Sequence, residues 1–357
     1  MNTDQFPNFE GPVCPLPFDH AEQIVISHGS GGRQTHDLIR KVFHNHFSNP
    51  ALDAGNDSAI LHLSAQMPGK IAVSTDAHIV SPYFFPGGDI GKLAVCGTVN
   101  DVSMSGAVPR YLTASFILEE GFPIRDLEKI VLSMEATAKE AEVEIVAGDT
   151  KVVQKGKGDG IFISTTGIGW LPLDRRIGGE QARAGDIVIL SGTIGEHGLA
   201  VLAARGELGF TADLRSDVAP LNHMIQTVLE AAPDIHVLRD PTRGGVATTL
   251  NEIASQSGVN IFLEEDQIPI IPQVHAVCEM LGFDPLYIAN EGKVIVICPP
   301  SSVKRVLEAL HAQKYGQNAR VIGEVRAAPA GKVLLRTLIA GTRILDTLSG
   351  EMLPRIC

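Results

Sequence analysis

The feature that most constrains the fold is an alternation of apolar strand patterns with amphipathic helix patterns, which runs through two similar halves of the chain. Alternation of this kind is typical of mixed α/β architectures. A passage rich in proline and glycine, from Leu171 to Gly185, separates the halves and predicts a domain boundary. A length of 357 residues suits two domains, and 44% hydrophobic residues can supply a core for each. The sequence therefore predicts an α/β (α+β) protein built from two related units.

Four segments follow from this organisation. They are an N-terminal arm over 1–22, a first domain over 23–172, a second domain over 183–335 and a tail over 336–357. The arm lacks periodicity, and glycine, serine and proline interrupt the tail, so we expect the tail to be mobile. From Arg336 onward the tail could extend roughly 70 Å at about 3.3 Å per residue. That reach is enough to bring its last residue back to either domain.

Hydrophobic periodicity predicts individual elements in both halves. In the first half the clearest patterns are a helix over 90–104 and a strand over 143–146. In the second half they are a strand over 187–190, a helix over 218–231 and a closing strand over 321–325.

Charge and composition exclude several classes of function. The net charge of -12 disfavours binding to nucleic acid or to an anionic membrane, and aromatic residues are few. No run of roughly 18 apolar residues predicts a membrane span, and no signal peptide is indicated. The five cysteines form no C-x-x-C pair, so neither a disulfide framework nor a zinc site is predicted. We therefore expect a cytoplasmic protein.

Acidic residues mark the ends of several predicted elements in the first half and are flanked by small residues. These are Asp57, Asp76, Asp101 and Asp149. Small neighbours let a ligand approach the backbone, and magnesium takes oxygen ligands while it bridges carboxylates to phosphates. A triphosphate beside bare carboxylates would be repelled without such a cation. The four aspartates together predict a magnesium–phosphate site, although each one alone could be a helix cap or turn former.

Basic residues and glycine turns accompany the acids. Lys92 follows a glycine-rich stretch at a predicted helix start, where backbone N–H groups favour an anion. Lys151, beside Asp149, could neutralise charge on a transferred phosphoryl group. Asp240 precedes Pro-Thr-Arg and the pair Gly244-Gly245, which predicts a second helix start that faces an anion. No Walker A pattern occurs.

Two further residues could carry chemistry directly. Glu291, in Asn-Glu-Gly-Lys before an apolar strand, is a candidate general base if burial or a nearby charge tunes it. A solvated turn is the structural alternative. The sequence closes on Leu-Pro-Arg-Ile-Cys, which presents the thiol of Cys357 at the end of the tail. An incidental cysteine on a frayed tail is the alternative there.

These motifs together resemble those of a known family. The resemblance is to the hydrogenase-maturation carbamoyl dehydratases (the HypE family), within the superfamily of aminoimidazole ribonucleotide synthetase, selenophosphate synthetase and thiamine-monophosphate kinase. It covers about residues 24–357 and includes the glycine-rich loop 28–32, the stretches 84–88 and 100–102, and the segments 148–153, 239–245, 290–293 and 354–357. The motif that ends in Cys357 separates this branch from its relatives. Asn56-Asp57 stands where several relatives have paired acids.

The resemblance implies a two-domain PurM-like fold, in which the first domains of two protomers pair into a closed β-barrel. It implies a homodimer that binds ATP near that interface together with Mg²⁺. It places Lys151 and Glu291 near a thiocarboxamide on Cys357 and the four aspartates around magnesium. The residues that it assigns to ATP and phosphate are Lys92, Asn100, Thr150, Asp240, Gly244 and Gly245.

The implied reaction is an ATP-dependent dehydration on the chain's own cysteine. A partner carbamoyltransferase loads a carbamoyl group onto Cys357, and its conversion to S-cyanate (thiocyanate) supplies the cyanide ligand for the iron centre of NiFe hydrogenase. An iron-bearing scaffold complex accepts the cyanide. Two alternatives remain open from the sequence: a small-molecule kinase or synthetase of the same superfamily that needs no Cys357, and a non-enzymatic assembly scaffold.

Overall fold

The computed structural model describes residues 32–38, 59–62, 69–206 and 213–348. The predicted arm, Asp57 and Cys357 lie outside the described residues. Within them, no helix is long and apolar enough to cross a membrane.

The first domain is a five-stranded sheet covered on one face by two helices. Its described elements are α1 (Arg33–Leu38), β1 (Ala59–His62), β2 (Lys70–His78), β3 (Phe84–Phe85), β4 (Gly88–Asp89), α2 (Ile90–Met104), β5 (Val108–Glu119), α3 (Ile124–Glu140), β6 (Glu144–Val153) and β7 (Ile161–Leu171). The strand order is β1-β2-β7-β5-β6, and only β6 runs parallel to its neighbour among these pairs. β3 and β4 form a separate small hairpin.

Helix α2 lies at the centre of the molecule. Its bounds match the predicted helix over 90–104, and its apolar residues, such as Leu93 and Val99, are fully buried. Burial alternates along β7, so one sheet face packs on α2 while the other is half-buried. Among the described elements, no helix covers this second face.

The second domain is a seven-stranded mixed sheet with helices on both sides. Its elements are β8 (Ile187–Leu190), α4 (Glu196–Ala204), α5 (Asn222–Ala231), β9 (Val237–Arg239), α6 (Gly245–Ser257), β10 (Asn260–Glu264), α7 (Pro272–Leu281), β11 (Ile295–Cys298), α8 (Val303–His311), β12 (Arg320–Arg326), β13 (Lys332–Arg336) and β14 (Thr342–Leu345). The strand order is β14-β13-β10-β12-β8-β11-β9. Separate apolar clusters form on its two faces.

Three predicted boundaries are wrong for identifiable reasons. The strand predicted over 143–146 continues to Val153, because β6 pairs with β5 along its whole length. The helix predicted over 218–231 begins only at Asn222, because the preceding segment is extended and binds the first domain. The tail predicted from 336 begins later, because Gly341 belongs to a hairpin turn between β13 and β14 and Leu345 is buried.

The two domains share buried surface. One apolar cluster combines residues of α2 and α3 with Leu199 and Val218 of the second domain. In another, Met104 joins residues of α5. Functional groups from the two domains therefore meet at this junction.

Candidate active site

The first part of the site lies where β2 meets α2. The Ser74 hydroxyl donates to Asp101 Oδ2 at 2.8 Å. Ser74 and Asp76 are two apart on β2 and so face the same side of the sheet. A Cβ placed on Gly97 of α2 would lie 3.6 Å from Asp76 Oδ2, so the helix approaches this carboxylate closely. The structure thus brings two of the four predicted magnesium ligands, Asp76 and Asp101, to one interface.

Asp149 does not join them. Asp76 lies opposite Thr165 on β7, Thr165 opposite Ala114 on β5, and Ala114 opposite Gly148 on β6. Paired residues share a face, so Asp149, the next residue along β6, faces the other side. It is also three strands away, roughly 14 Å at about 4.8 Å per strand. The prediction of one four-aspartate cluster within the chain is therefore wrong for Asp149, because β6 extends through it rather than ending before it.

Lys151 accompanies Asp149 on this second face. Its Nζ lies 2.9 Å from Asp149 Oδ2, and the two side chains are 69% and 58% exposed. Thr150 lies between them on β6, and its side chain is outside the description. Among the described residues, no group of three or more acidic, histidine or cysteine side chains is arranged to hold a metal ion.

Lys92 lies at the opposite end of α2 from the carboxylate pair. Nine residues separate it from Asp101, which is about 13 Å along the helix axis. Asp89 caps this helix start, and its Oδ1 accepts from the N–H groups of Gly91 and Lys92 at 2.8 and 3.1 Å. The Lys92 ammonium donates to Gly87 O at 3.2 Å. The predicted phosphate position at this helix start is thus already taken by the chain's own carboxylate.

Asn100 also differs from its predicted role. Its buried Nδ2 donates to Ala219 O at 3.0 Å and to Glu291 O at 3.4 Å, while its Oδ1 accepts from Leu221 N–H at 2.8 Å. All three partners are backbone groups of the second domain. The structure therefore places this side chain as an interdomain bridge rather than toward a phosphate.

The turn after β9 supplies the second part of the site. Asp240 is buried at the end of β9, and Arg243 reaches across the junction to place its Nη2 3.4 Å from Asp76 Oδ1. Gly244 and Gly245 both have left-handed backbone conformations, and a Cβ on Gly245 would meet two carbonyl oxygens of the loop before Asn290. Only glycine fits such a close approach. The N-cap residue of α6 is Gly244, which has no side chain with which to cap the helix start.

Glu291 completes the arrangement, and the alternative of a solvated turn is wrong. Its side chain is only 4% exposed. Burial raises the pKa of its carboxyl well above the usual range, and the charges of Asp240, Asp76 and Asp217 raise it further. Arg243 opposes these effects by lowering the pKa. We call Asp76, Asp240, Arg243 and Glu291 the interdomain cluster.

Sequence reasoning missed part of this cluster's support. Asp217 is buried, and its carboxylate forms a buried ion pair with Lys293 at 2.9 Å. His78 lies buried 3.8 Å from Asp76 Oδ2, and burial lowers the pKa of its imidazole. Arg243 belongs to the Pro-Thr-Arg stretch after Asp240, but the sequence predicted no role for it. No periodicity or motif around Asp217 could have indicated its burial.

The residues present fit a magnesium–phosphate group at the junction. Magnesium usually keeps several waters and is held in proteins by one or two carboxylates plus substrate phosphates. The described Asp76 and Asp101 provide that number of carboxylates. The glycine-lined start of α6 presents a positive helix end on the other side of the junction.

Comparison with known proteins identifies the fold. The AIR synthase related protein, N-terminal domain, matches residues 55–171, and the AIR synthase related protein, C-terminal domain, matches residues 183–336. The two-domain α/β fold with its interdomain cluster thus defines a member of the AIR synthase related proteins.

More similar relatives identify one family within this class. The chain is 53% identical to carbamoyl dehydratase HypE of Cupriavidus necator over 335 residues, which covers 94% of this chain and 95% of that protein. It is 50% identical to the hydrogenase maturation protein HypE in a solved complex with ATP (TM-score 0.78, covering 94% and 100% of the two chains). A solved HypE–HypF complex has a TM-score of 0.82 at 50% identity, with 87% and 99% covered. The chain belongs to the HypE family of carbamoyl dehydratases, which confirms the family predicted from the motifs.

Proposed function

We propose that this carbamoyl dehydratase dehydrates an S-carbamoyl group on its own Cys357 to S-cyanate, at the expense of ATP. The product supplies the cyanide ligand for the iron centre of NiFe hydrogenase. The observation that carries the proposal is the interdomain cluster, in which a buried carboxyl of raised pKa lies among residues suited to magnesium and phosphate. The solved complex of a HypE relative with ATP supports the choice of nucleotide.

The chemistry balances in two steps. The carbamoyl oxygen attacks the γ-phosphorus of ATP, ADP leaves, and one N–H proton is lost, which gives an O-phosphorylated thioimidate on the Cys357 sulfur. Loss of the second N–H proton and of inorganic phosphate then leaves the C≡N triple bond. Each step releases one proton from the same nitrogen, so the site needs a proton acceptor.

Glu291 is suited to be that acceptor. A carboxylate with an ordinary pKa is a weak base at neutral pH, whereas a raised pKa brings its basicity closer to the working pH. The cause of the rise is burial first, and then the carboxylates of Asp240, Asp76 and Asp217. Since a base must be deprotonated to act, the dehydration rate should increase as pH rises through the pKa of Glu291.

Asp76 and Asp101 are the residues that would hold magnesium. When bound, the ion would neutralise phosphate charge beside these carboxylates. Arg243, which pairs with Asp76 at 3.4 Å, would place a further positive charge beside the phosphates. Asp240, Gly244 and Gly245 would line the anion side at the start of α6.

Asp149 and Lys151 would enter the site through a homodimer. They lie on the sheet face that no described helix covers, together with the exposed side chains of Tyr111 and Ile117, which pair with Glu144 and Lys151 across β5 and β6. An exposed apolar face of this kind favours association with another surface. If two copies pair their sheets here into a barrel, Lys151 of one copy can reach the site of its partner, where the resemblance implies a position near the thiocarboxamide on Cys357.

The cysteine must reach more than one protein. We propose that a carbamoyltransferase loads Cys357, and a solved HypE–HypF complex supports the existence of a dedicated partner. An iron-bearing scaffold complex would then accept the cyanide in the cytoplasm. The described chain leaves the second sheet after Leu345, so the segment from there to Cys357 would carry the thiol between these partners and the interdomain cluster.

The mass of the peptide that contains Cys357 tests this proposal. The protein is incubated with its carbamoyltransferase and carbamoyl phosphate and then supplied with ATP and Mg²⁺. We expect a carbamoyl adduct first and, after ATP is added, loss of one water from it. Cys357→Ala should show neither change, with Cys278→Ala as a matched control because Cys278 is buried and outside the site. ATP hydrolysis without any change in this peptide would contradict the proposal and favour a kinase or synthetase.

A further inference from the structure

Asp217 is a buried charged residue that the proposed reaction does not use. It belongs to the extended segment 216–219, which lies between the domains. Ser216 N–H of this segment donates to Pro86 O of the first domain at 2.8 Å, and Gly87 packs directly against Ser216. The Asp217 side chain is only 5% exposed. A buried carboxylate is costly unless its partners satisfy it, so the nature of those partners indicates what it holds.

Three consecutive residues of the second domain donate the hydrogen bonds described for this carboxylate. Asp217 Oδ1 accepts from Glu291 N–H at 3.2 Å. Its Oδ2 accepts from Gly292 N–H at 3.1 Å and from Lys293 Nζ at 2.9 Å. A Cβ on Gly292 would collide with Asp217 O, so the two segments are in tight contact. One carboxylate therefore fixes the stretch of backbone that carries Glu291.

The other side of Glu291 is held as well. Its carbonyl oxygen accepts from Ala219 N–H and from Asn100 Nδ2, each at 3.4 Å. Asn100 belongs to α2, one residue before the proposed magnesium ligand Asp101. The backbone of Glu291 is thus bound on one side by Asp217 and on the other by the first domain's central helix and by segment 216–219.

The charges around Glu291 come from four residues in both domains. Asp240 at the end of β9, Asp76 on β2 and Asp217 raise the pKa of its carboxyl, in addition to burial, and Arg243 lowers it. Asp217 therefore has two effects on the same residue, one through backbone bonds and one through its charge. Its own pKa is lowered by Lys293 and His197, against the opposing effect of burial.

We propose that Asp217 is a positioning residue for Glu291. It holds the backbone of 291–293 so that the Glu291 carboxyl stays within the interdomain cluster, and segment 216–219 fixes that position relative to α2. The inference rests on the proposed function, because it takes Glu291 to be the proton acceptor of the dehydration. Asp217 itself touches no reacting atom.

Asp217→Asn tests the proposal in the full chain carrying the carbamoyl group. Carbamoyl loading and the ATP dissociation constant should equal those of the wild type. The single-turnover rate of conversion should fall on the order of 100-fold, the size expected when a reacting group is misplaced by about 1 Å. The rising limb of the pH–rate profile should move to lower pH, because one negative charge beside Glu291 is lost.

Two further variants make the result decisive. Asp217→Glu keeps the ion pair with Lys293 and thus the fold, and should lower the rate without moving the pH limb. Asp186→Asn is the matched control: Asp186 is a buried aspartate that binds Arg183 N–H and His236 Nδ1 at 2.8 Å. It precedes β8, whereas the end of β8 that lies near residues 291–293 is the opposite one, where Ser191 N–H donates to Val294 O. Asp186→Asn should change neither the rate nor the pH limb.

Wild-type conversion rates in Asp217→Glu and in folded Asp217→Asn would overturn the proposal. An equal rate loss in Asp186→Asn would also overturn it, because the effect would then be general destabilisation. If the wild type itself never converts its carbamoyl group, the proposed function fails and this inference fails with it. A wild type that converts beside fully active Asp217 variants refutes only the positioning role.

Discussion

Asn100 gives the sharpest contrast between the role predicted from the sequence and the role that the structure indicates. Asn100→Ala removes its bonds to Ala219 O (3.0 Å), Leu221 N–H (2.8 Å) and Glu291 O (3.4 Å). The Leu221 N–H loses its Asn100 acceptor in a buried position, which costs about 1–3 kcal/mol. Loss of the short bond to Ala219 O adds about 1 kcal/mol, and the long contact to Glu291 O adds little. The expected loss of unfolding free energy is therefore about 2–4 kcal/mol.

Urea unfolding and ATP titration of the same variant check this prediction. Asn222→Ala is the matched control, because Asn222 is also a buried interdomain asparagine but makes only one described side-chain bond, to Ala141 O at 2.8 Å. It should lose about 1 kcal/mol. Asn100→Ala should keep an ATP dissociation constant close to that of the wild type. Unchanged stability together with a large loss of ATP affinity would refute the bridging role and restore Asn100 as a nucleotide ligand.

Three other predictions concern glycine, charge and pH. Gly245→Ala should destabilise the protein by about 2 kcal/mol or more in thermal unfolding, because a Cβ there would lie 2.5 Å from Leu286 O and 2.7 Å from Ile288 O, with φ at +62°. The control Gly258→Ala, at φ +66° in open space, should cost only about 1 kcal/mol. Equal losses of stability in the two variants would contradict the steric argument. Lys293→Ala should lower the unfolding free energy by about 3–5 kcal/mol, because it leaves the buried carboxylate of Asp217 without its ion-pair partner. The control Lys304→Ala, which breaks an exposed ion pair on a helix, should cost under about 1 kcal/mol. Similar losses in the two variants would contradict the stabilising role of the buried ion pair. Because folding raises the pKa of Glu291, the folded protein binds more protons at this residue than the unfolded chain does above pH of about 4.5, so the contribution of Glu291 to the free energy of unfolding falls as pH rises. In urea unfolding followed from about pH 5 upward, Glu291→Gln should lose that decline, and a pH slope identical to that of the wild type would contradict it.

Local patterns predicted much of the fold. The helix over 90–104 was correct at both ends because a run made mostly of small and apolar residues follows the capping Asp89. The strand over 187–190 was correct for the same reason, since it is a short, fully apolar run. The hairpin of β13 and β14 was missed because its strands are short and its turn contains Gly341, which a sequence alone does not distinguish from the start of a tail.

The site was harder to predict, because its geometry depends on sheet order and on the domain junction. Asp149 follows an apolar run just as Asp76 does, yet strand order puts it on the far strand and alternation puts it on the other face. Asn-Glu-Gly-Lys has the composition of a solvated turn, and the sequence does not show that segment 216–219 and α2 pack against it. The helix start after Asp240 was predicted correctly, because a glycine pair before a helix indicates a local backbone requirement.

The fate of the carbamoyl oxygen tests the central claim most directly. The carbamoyl group on Cys357 is prepared with a heavy oxygen isotope, ATP and Mg²⁺ are added, and the released inorganic phosphate is analysed by mass spectrometry. Transfer of the label into phosphate, in an amount equal to the S-cyanate formed, is the predicted result. Label that stays on the protein or appears only in water, while ATP is consumed, would contradict dehydration by phosphorylation of the carbamoyl oxygen.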